Sequence, residues 1–511
     1  GPAVMHGYRA AFGSVSVRLK APNYPAHAFA SLWYMNKDGD RQQRRIGGAA
    51  FFSNRPRVTE QRSVDWSTTY LTAGLNSHLG PVEAEYSHSV RTFKAGGGVG
   101  SALYAAAGGR RGPGTYPYGV VPELEGSTDT FKIHSMYTGR LVASATFSVS
   151  EDRNETSTAD TDYYLAAGEL VWTPVAKFTA ALRYRHLERD ADNPSSIPDT
   201  YLGFPLNYNA GSAAAAAIKN IRNSISADIN TISLIARYRP TTKITLGAAA
   251  SYKHTDRENA WEWTRPGTTD ESTLGASVSY RPMGNLKLKA KYKYKRMNDP
   301  VVPTHPDHSH KLDLSATWTP MARLNLFASY GLTRESRDLY ELDGRTDAFA
   351  QDRDVTRDTF TVMATYLVRD NLSVTGSVAY WDNKTAQQVS YQAGPPALPY
   401  TPIREEYQDI TQNYTAAVNY SPLEQLHLMA GVGYTKARAG YDSAYFESYF
   451  SKLKIRETAY EFSANYEFIE NLDVGFRMEY RKFDDLIENQ QNPEYEDGSA
   501  QTYLVTVNKR W

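Results

Sequence analysis

Residues Leu286–Lys295 read LKLKAKYKYK. Side chains of an extended chain alternate between two faces, so Leu286, Leu288, Ala290, Tyr292 and Tyr294 share one face. Lys287, Lys289, Lys291, Lys293 and Lys295 share the other. Alone, this would be an ordinary amphipathic ribbon; its recurrence specifies an architecture. A strand ending in an aromatic residue, a tight turn often carrying proline, and a strand rising to tyrosine recur along the chain. The unit runs from Leu170–Trp172 through Pro174 to Phe178–Tyr184, and from Leu234–Tyr238 through Pro240 to Ile244–Tyr252. Leu274–Tyr280 and Pro282 lead into Leu286, and Leu312–Trp318 and Pro320 into Leu324–Tyr330. Further copies join Phe360–Tyr366 to Leu372–Tyr380, Tyr414–Tyr420 to Leu426–Tyr434, and Tyr460–Tyr466 to Leu472–Tyr480. Two looser copies turn around Thr138-Gly139-Arg140 and His78-Leu79-Gly80.

Long polar connections separate the hairpins: Glu151–Asp160, Glu188–Ser226, Thr255–Asp270, Asn298–His308, Arg334–Arg357, Asn383–Tyr407, Ala437–Leu453 and Asp484–Gly498. Short turns at one end and long loops at the other, strands of about ten residues, and aromatics at strand ends are the pattern of an outer-membrane barrel. The physical reason is that lipid offers no hydrogen-bond partners, so a sheet crossing it has to close on itself. A soluble propeller or β-helix fits less well, because propeller blades need four strands per repeat. A packed interior would also reject the face that carries Thr179, Arg183 and Arg185, or Asp473, Arg477 and Glu479.

Composition agrees. The 511 residues include 37 tyrosines and no cysteine, and 56 basic residues balance 56 acidic ones. No apolar run reaches the roughly 18 residues of a transmembrane helix. The missing cysteine excludes disulfides, thiolate metal sites and CxxCH haem attachment within the chain. Zero net charge gives no general attraction to nucleic acid. No signal peptide is visible at Gly1, so an exported form would be a processed chain.

The expected fold is therefore all-β: one large transmembrane antiparallel up-and-down β-barrel over residues 1–511, with short periplasmic turns and long extracellular loops. Beginning with Tyr8–Arg18 and His27–Tyr34, and adding Tyr503–Trp511, the hairpins give roughly 21 strands. Single-chain barrels usually have an even number, which predicts about 22–26, with an upstream strand missing or one N-terminal strand misread. At 22 strands the diameter is about 45 Å, too wide for a tight solute filter without a plug, an inward loop or another protein. Aromatic girdles are expected from Trp172, Tyr184, Tyr238, Tyr252, Tyr280, Trp318, Tyr330, Tyr366, Tyr380, Tyr420, Tyr434, Tyr466, Tyr480 and Trp511.

One N-terminal stretch carries a family likeness. The segment SLWYMNKDGDRQQRRIGGAAFF, then RSVDWSTTYLTAGL and VEAEYSHSVRTF, all within Ala28–Phe93, resembles the MtrB/PioB-type outer-membrane barrels. Ser63-Val64-Asp65-Trp66-Ser67-Thr68 stands where that family has a PVDY-T-like element, and the later hairpins match in style. The resemblance implies a non-catalytic sheath around a periplasmic multihaem c-type cytochrome, which passes electrons through the outer membrane to an extracellular multihaem cytochrome or a mineral. Haem c would then belong to the partner, and this chain would carry no cofactor. Lipid bilayer and lipopolysaccharide complete the expected surroundings. An N-terminal CxxC found in some members has no counterpart here.

The Lys287–Lys295 stripe, with Arg183, Arg185 and Arg477, is the candidate lumen-facing contact with such a partner, through haem propionates or an acidic surface. The plain alternative is a charged wall that keeps a general or anion-preferring diffusion porin wet; a surface-display barrel for adhesion is a third reading. His305, His308 and His310, in THPDHSH, could ligate a metal, but a mobile loop is the simpler expectation, lacking a carboxylate or cysteine at firm spacing. Asp38-Gly39-Asp40 reads as a turn, not a calcium loop. Gly96–Gly98, Gly108-Gly109 and Gly112-Pro113-Gly114 read as a flexible connection, since no phosphate-loop unit surrounds them. No nucleophile elbow GxSxG occurs, and no catalytic or metal site is assigned. Gly211–Ile225 would be either a short helix over a barrel mouth or a loose tip.

Overall fold

The computed structural model describes residues 7–20, 22, 24–46, 57–104, 114–135, 139–157, 159–193, 223–263, 265–302, 305–338, 352–391, 401–442, 452–469, 472–486 and 497–509. Trp511 and most of Gly211–Ile225 fall outside them. Two compact units are delimited: Gly1–Val175, Ala180–Ser233 and Lys253–Thr268 form one, and Ala176–Thr179, Leu234–Tyr252 and Thr269–Trp511 the other.

The strands are β1 (Gly7–Lys20), β2 (Ala26–Ile46), β3 (Arg57–Leu79), β4 (Val82–Gly96), β5 (Gly100–Tyr104), β6 (Gly114–Tyr118), β7 (Leu124–Ser135), β8 (Leu141–Asn154), β9 (Ala159–Val175), β10 (Phe178–Asp192), β11 (Ala227–Tyr238) and β12 (Ile244–Arg257). After one 3-10 turn, Ala260–Trp263, come β13 (Thr268–Met283), β14 (Leu286–Asn298), β15 (His308–Met321), β16 (Leu324–Arg337), β17 (Arg353–Arg369), β18 (Leu372–Tyr391), β19 (Thr401–Leu423), β20 (Leu426–Asp442), β21 (Lys452–Ile469), β22 (Leu472–Asp485) and β23 (Gly498–Lys509). The class is all-β, antiparallel and up-and-down. In the first unit β1 pairs with β2, β2 with β3, β3 with β4, β4 with β7, β7 with β8 and β8 with β9. In the second, each strand from β13 to β23 pairs with the next. Besides the separate β5–β6 ribbon, 21 strands are present among the described residues.

The short-turn end repeats one backbone device. The N–H following each terminal aromatic donates to the last carbonyl of the preceding turn: Thr173 to Arg140, Arg239 to Lys177, Arg281 to Lys243, Thr319 to Asn285, Leu367 to Arg323, Ser421 to Asn371 and Glu467 to Gln425, at 2.7–2.9 Å. The next residue is often proline, as at Pro174, Pro240, Pro282, Pro320 and Pro422. Proline has no N–H to leave unpaired at the bulges that shift the register, such as Tyr280/Met283, Trp318/Met321 and Tyr420/Leu423. This explains the aromatic-X-Pro signature that organised the sequence.

Burial is the reverse of a soluble sheet. Among the described residues the only buried apolar ones are Val64, Ala102, Ala227, Ala260, Met297, Val355 and Ala379. Leu274, Val278, Leu288, Tyr292, Leu314 and Phe360 are instead exposed on one continuous face. An apolar face of this extent demands a nonaqueous neighbour.

Several sequence expectations are corrected. Strands run well past ten residues, 20 in β18 and 23 in β19, and absorb much of the supposed loops. Hairpin hydrogen bonding continues past the point where the apolar alternation stops, because polar side chains do not oppose a ladder standing in water. The Gly-rich connection contains the β5–β6 ribbon. Asp38-Gly39-Asp40 is no turn: it lies inside β2, paired with β1 and β3 on either side. Gly39 holds φ at 136°, and a Cβ there would lie 2.4 Å from the Gly7 carbonyl oxygen. The glycine serves backbone approach, not chain reversal. Gly39→Ala should therefore cost about 1–3 kcal/mol, read as a lowered denaturant midpoint of the refolded protein in detergent; an unchanged midpoint contradicts this account.

Candidate functional site

Register and alternation divide the second unit into two chemically distinct faces. On β14 the lysines oppose small or charged residues: Lys289 faces Ser279 and Ser315, Lys291 faces Ser277 and Asp313, and Lys293 faces Gly275 and Lys311. Lys295 reaches Glu271 at 2.9 Å, and Asp313 is taken by Lys311 at 3.7 Å. Among the described residues no salt bridge neutralises Lys287, Lys289, Lys291 or Lys293. The stripe thus carries unbalanced positive charge along a polar face, and Lys287, Lys289, Lys291 and Lys293 are exposed.

The three candidate arginines differ. Arg183, in the first unit, is held by Glu169 at 2.8 Å, and Arg185 on the same face is exposed without an ion pair among the described residues. Arg477, eight strands along from β14, sits between Glu461 at 2.8 Å and Glu479 at 3.9 Å. Arg481 extends that network to Glu457 and Glu479. Of these candidates, Lys287, Lys289, Lys291, Lys293 and Arg185 are therefore uncompensated among the described residues, and Arg183 and Arg477 are held by carboxylates. Residue type alone could not separate these cases, since the partners sit on neighbouring strands.

The girdle residues, Trp511 aside, lie on the apolar face in two rows. Trp172, Tyr238, Tyr280, Trp318, Tyr366, Tyr420 and Tyr466 stand beside the short turns, where each precedes the donating N–H described above. Tyr184, Tyr252, Tyr330, Tyr380, Tyr434 and Tyr480 stand toward the long connections. Hydroxyls of this second row reach polar groups: Tyr184 donates to Asn230 at 2.8 Å, Tyr252 to Asp270 at 2.5 Å, Tyr330 to Asp358 at 2.6 Å and Tyr380 to Asp382 at 3.2 Å. Tyr86, missed in the sequence, makes the same bond to Asp129 at 2.6 Å. The carboxylates mark where the apolar band ends, as an interfacial phenol with one dry side and one wet tip requires.

The histidine expectation is also corrected. His308 and His310 are in strand β15, on the apolar face. His310 Nδ1 lies 2.7 Å from the Tyr292 hydroxyl and His308 Nδ1 3.0 Å from that of Tyr294, with the Tyr294 and His308 rings stacked. Only His305 lies in the connection. Among the described residues no group of three His, Asp or Glu could hold a metal ion.

The repeated hairpins from β9 into β14 decide the likeness. Residues 153–298 match the family described as "Putative outer membrane beta-barrel porin, MtrB/PioB". The resemblance is to that family. The matched stretch contains Arg183, Arg185 and the whole lysine stripe, and is distinct from Ala28–Phe93. No curated protein matches the chain. Among solved structures, the FrpB iron transporter from Neisseria meningitidis (F3-3 variant) is similar at TM-score 0.56 and 10% identity, covering 100% of this chain and 82% of that one. The siderophore receptor PiuA from Acinetobacter baumannii aligns at TM-score 0.52 and 12% identity, covering 99% and 81%. The ferric-catecholate import receptor Fiu from E. coli aligns at 0.51 and 12%, also covering 99% and 81%. At these identities the likeness concerns fold alone: that of outer-membrane β-barrels, and the protein resides in the outer membrane.

His305 gives a pH test. Burial first, then the charges of Lys295 and Arg337, hold its pKa below the ordinary histidine value. It is neutral in the folded connection at pH 7. Since the unfolded chain takes up the proton first, near pH 6.5, the connection's stability is full above that value and falls as pH drops through the lowered folded pKa. With the intrinsic slowing of base-catalysed exchange divided out, the protection factors of the Val301, Val302, His305 and Asp307 amides should fall on acidification in this window, and His305→Gln should remove the fall; protection indifferent to both contradicts the assignment.

Proposed function

We propose that this outer-membrane barrel is a non-catalytic sheath that houses a periplasmic multihaem c-type cytochrome and thereby supports electron transfer across the outer membrane. The observation that carries the reading is the unneutralised stripe Lys287, Lys289, Lys291 and Lys293 on the polar face, inside the segment matched by the MtrB/PioB family. Haem propionates and acidic protein surface are the chemistry such a stripe complements, and fixed cations on a rigid strand orient a charged partner as it docks. Haem c belongs to the partner, and the barrel contributes insulation from lipid and fixed placement of the haems. Arg185 adds a cation on the same class of face, while Arg183 and Arg477 shape the wall through their carboxylate pairs. An extracellular multihaem cytochrome is the natural acceptor or donor at the long-loop end.

The same unpaired lysines favour one competing reading, an anion-preferring diffusion porin. Affinity purification separates the two. A sheath is recovered as a red complex with a Soret band and conducts ions poorly in planar bilayers while its partner is bound. A colourless preparation with stable anion-selective conductance overturns the proposal. Within the complex, Lys289→Glu with Lys291→Glu should weaken cytochrome retention by about tenfold or more, equivalent to ~1.4 kcal/mol, and should flatten its salt dependence. Unaltered retention removes the stripe from the contact.

A further inference from the structure

A second basic cluster lies on the opposite, apolar face, and the proposed sheath does not use it. On β20, beyond Tyr434 toward the long connection, come Lys436 and Arg438. On β21, beyond Tyr460, come Arg456, Lys454 and Lys452, and on β22, beyond Tyr480, Lys482. Alternation places all six on the side of the tyrosines. Register sets Lys436 directly opposite Arg456, Arg438 opposite Lys454, and Gly440 opposite Lys452. Two successive cross-strand pairs of like charge are unfavourable in themselves.

A single carboxylate offsets two of the six. Asp484 serves Lys482 at 2.8 Å and Arg456 at 3.8 Å. Among the described residues Lys436, Arg438, Lys452 and Lys454 form no salt bridge. The apolar face of β16–β19 at the same end is organised differently: Arg334 pairs with Asp358 at 3.2 Å, Lys384 with Glu406 at 2.5 Å, and Arg404 with Asp354 at 2.6 Å and with Asp352. Excess positive charge at this depth thus sets β20–β22 apart from β16–β19, and a surface just past the interfacial tyrosines touches lipid headgroups, not bulk water.

We propose that this cluster is a binding site for the phosphorylated glucosamine headgroup of lipopolysaccharide. In barrels of this kind the long connections face the cell exterior, where the outer leaflet presents lipid A phosphates at headgroup depth. Phosphate oxygens bridging Lys436 and Arg456, and Arg438 and Lys454, relieve both like-charge pairs, and guanidinium groups match phosphate geometry. The acyl chains continue down the apolar face past Tyr434 and Tyr460. The site depends on outer-membrane residence and not on what fills the interior, so it stands or falls separately from the sheath.

The test is native mass spectrometry of the purified full chain, titrated with bis-phosphorylated lipid A, its phosphate-free form and phosphatidylglycerol. The first should bind at least tenfold more tightly than either other lipid. The combined variant Lys436→Gln, Arg438→Gln, Lys452→Gln and Lys454→Gln should lose that preference. A companion with Lys436→Arg, Lys452→Arg and Lys454→Arg should keep it, and heat-modifiable gel mobility confirms that both are folded. Equal binding of the phosphate-free lipid, equal binding of phosphatidylglycerol, or an unchanged preference in the folded glutamine variant each overturns the proposal.

Discussion

Every feature of this chain follows from the need of a peptide group in hydrocarbon to find its partner within the protein. An unpaired N–H or C=O there costs several kcal/mol, so strands cross lipid only as members of a continuous ladder. Antiparallel pairing between sequence neighbours meets this requirement with the shortest connections. The repeated bonds from one short turn to the next extend it to the rim, where a ladder would otherwise fray. Proline recurs there because it adds no donor to satisfy.

Once the ladder is fixed, alternation divides the chemistry. One face holds leucine, valine, alanine and two rows of aromatics; the other holds serine, threonine and charge. Apolar side chains are exposed and the polar face carries ion pairs, which suits a sheet between lipid and a wet or protein-filled interior. Charge on the polar face is uneven. The Arg477–Glu461–Arg481–Glu457 region is internally balanced, whereas β14 presents lysines with little opposing charge. An unbalanced stripe asks for an external counter-charge, and this is the physical content of the sheath reading. The same logic applied to the apolar face singles out β20–β22, where cations cluster just outside the tyrosine row.

Much of this was legible because the period of a strand is short and its meaning local. LKLKAKYKYK declares both faces within ten residues, and the aromatic-X-Pro turns declare the ends. Local pattern misleads where pairing with distant strands overrides it. Asp38-Gly39-Asp40 has turn composition, but β1 and β3 hold it extended from both sides. THPDHSH looks like a loop, yet Tyr292 and Tyr294 on β14 recruit His308 and His310 into the ladder. The connections are shorter than the sequence implies, because apolar alternation ends at the girdle while hydrogen bonding between polar strands does not.

The sequence by itself determined the strand class, the two faces, the girdle positions and the unequal ends, since each depends on neighbours two to ten residues apart. Tertiary structure decided which charges are compensated. Arg183 with Glu169, Arg477 with Glu461 and Arg334 with Asp358 meet across strands separated by turns or loops of unrelated length, so register alone sets those distances. For the same reason the sequence puts Lys436 on the face of Tyr434, but only the ladder sets it directly opposite Arg456.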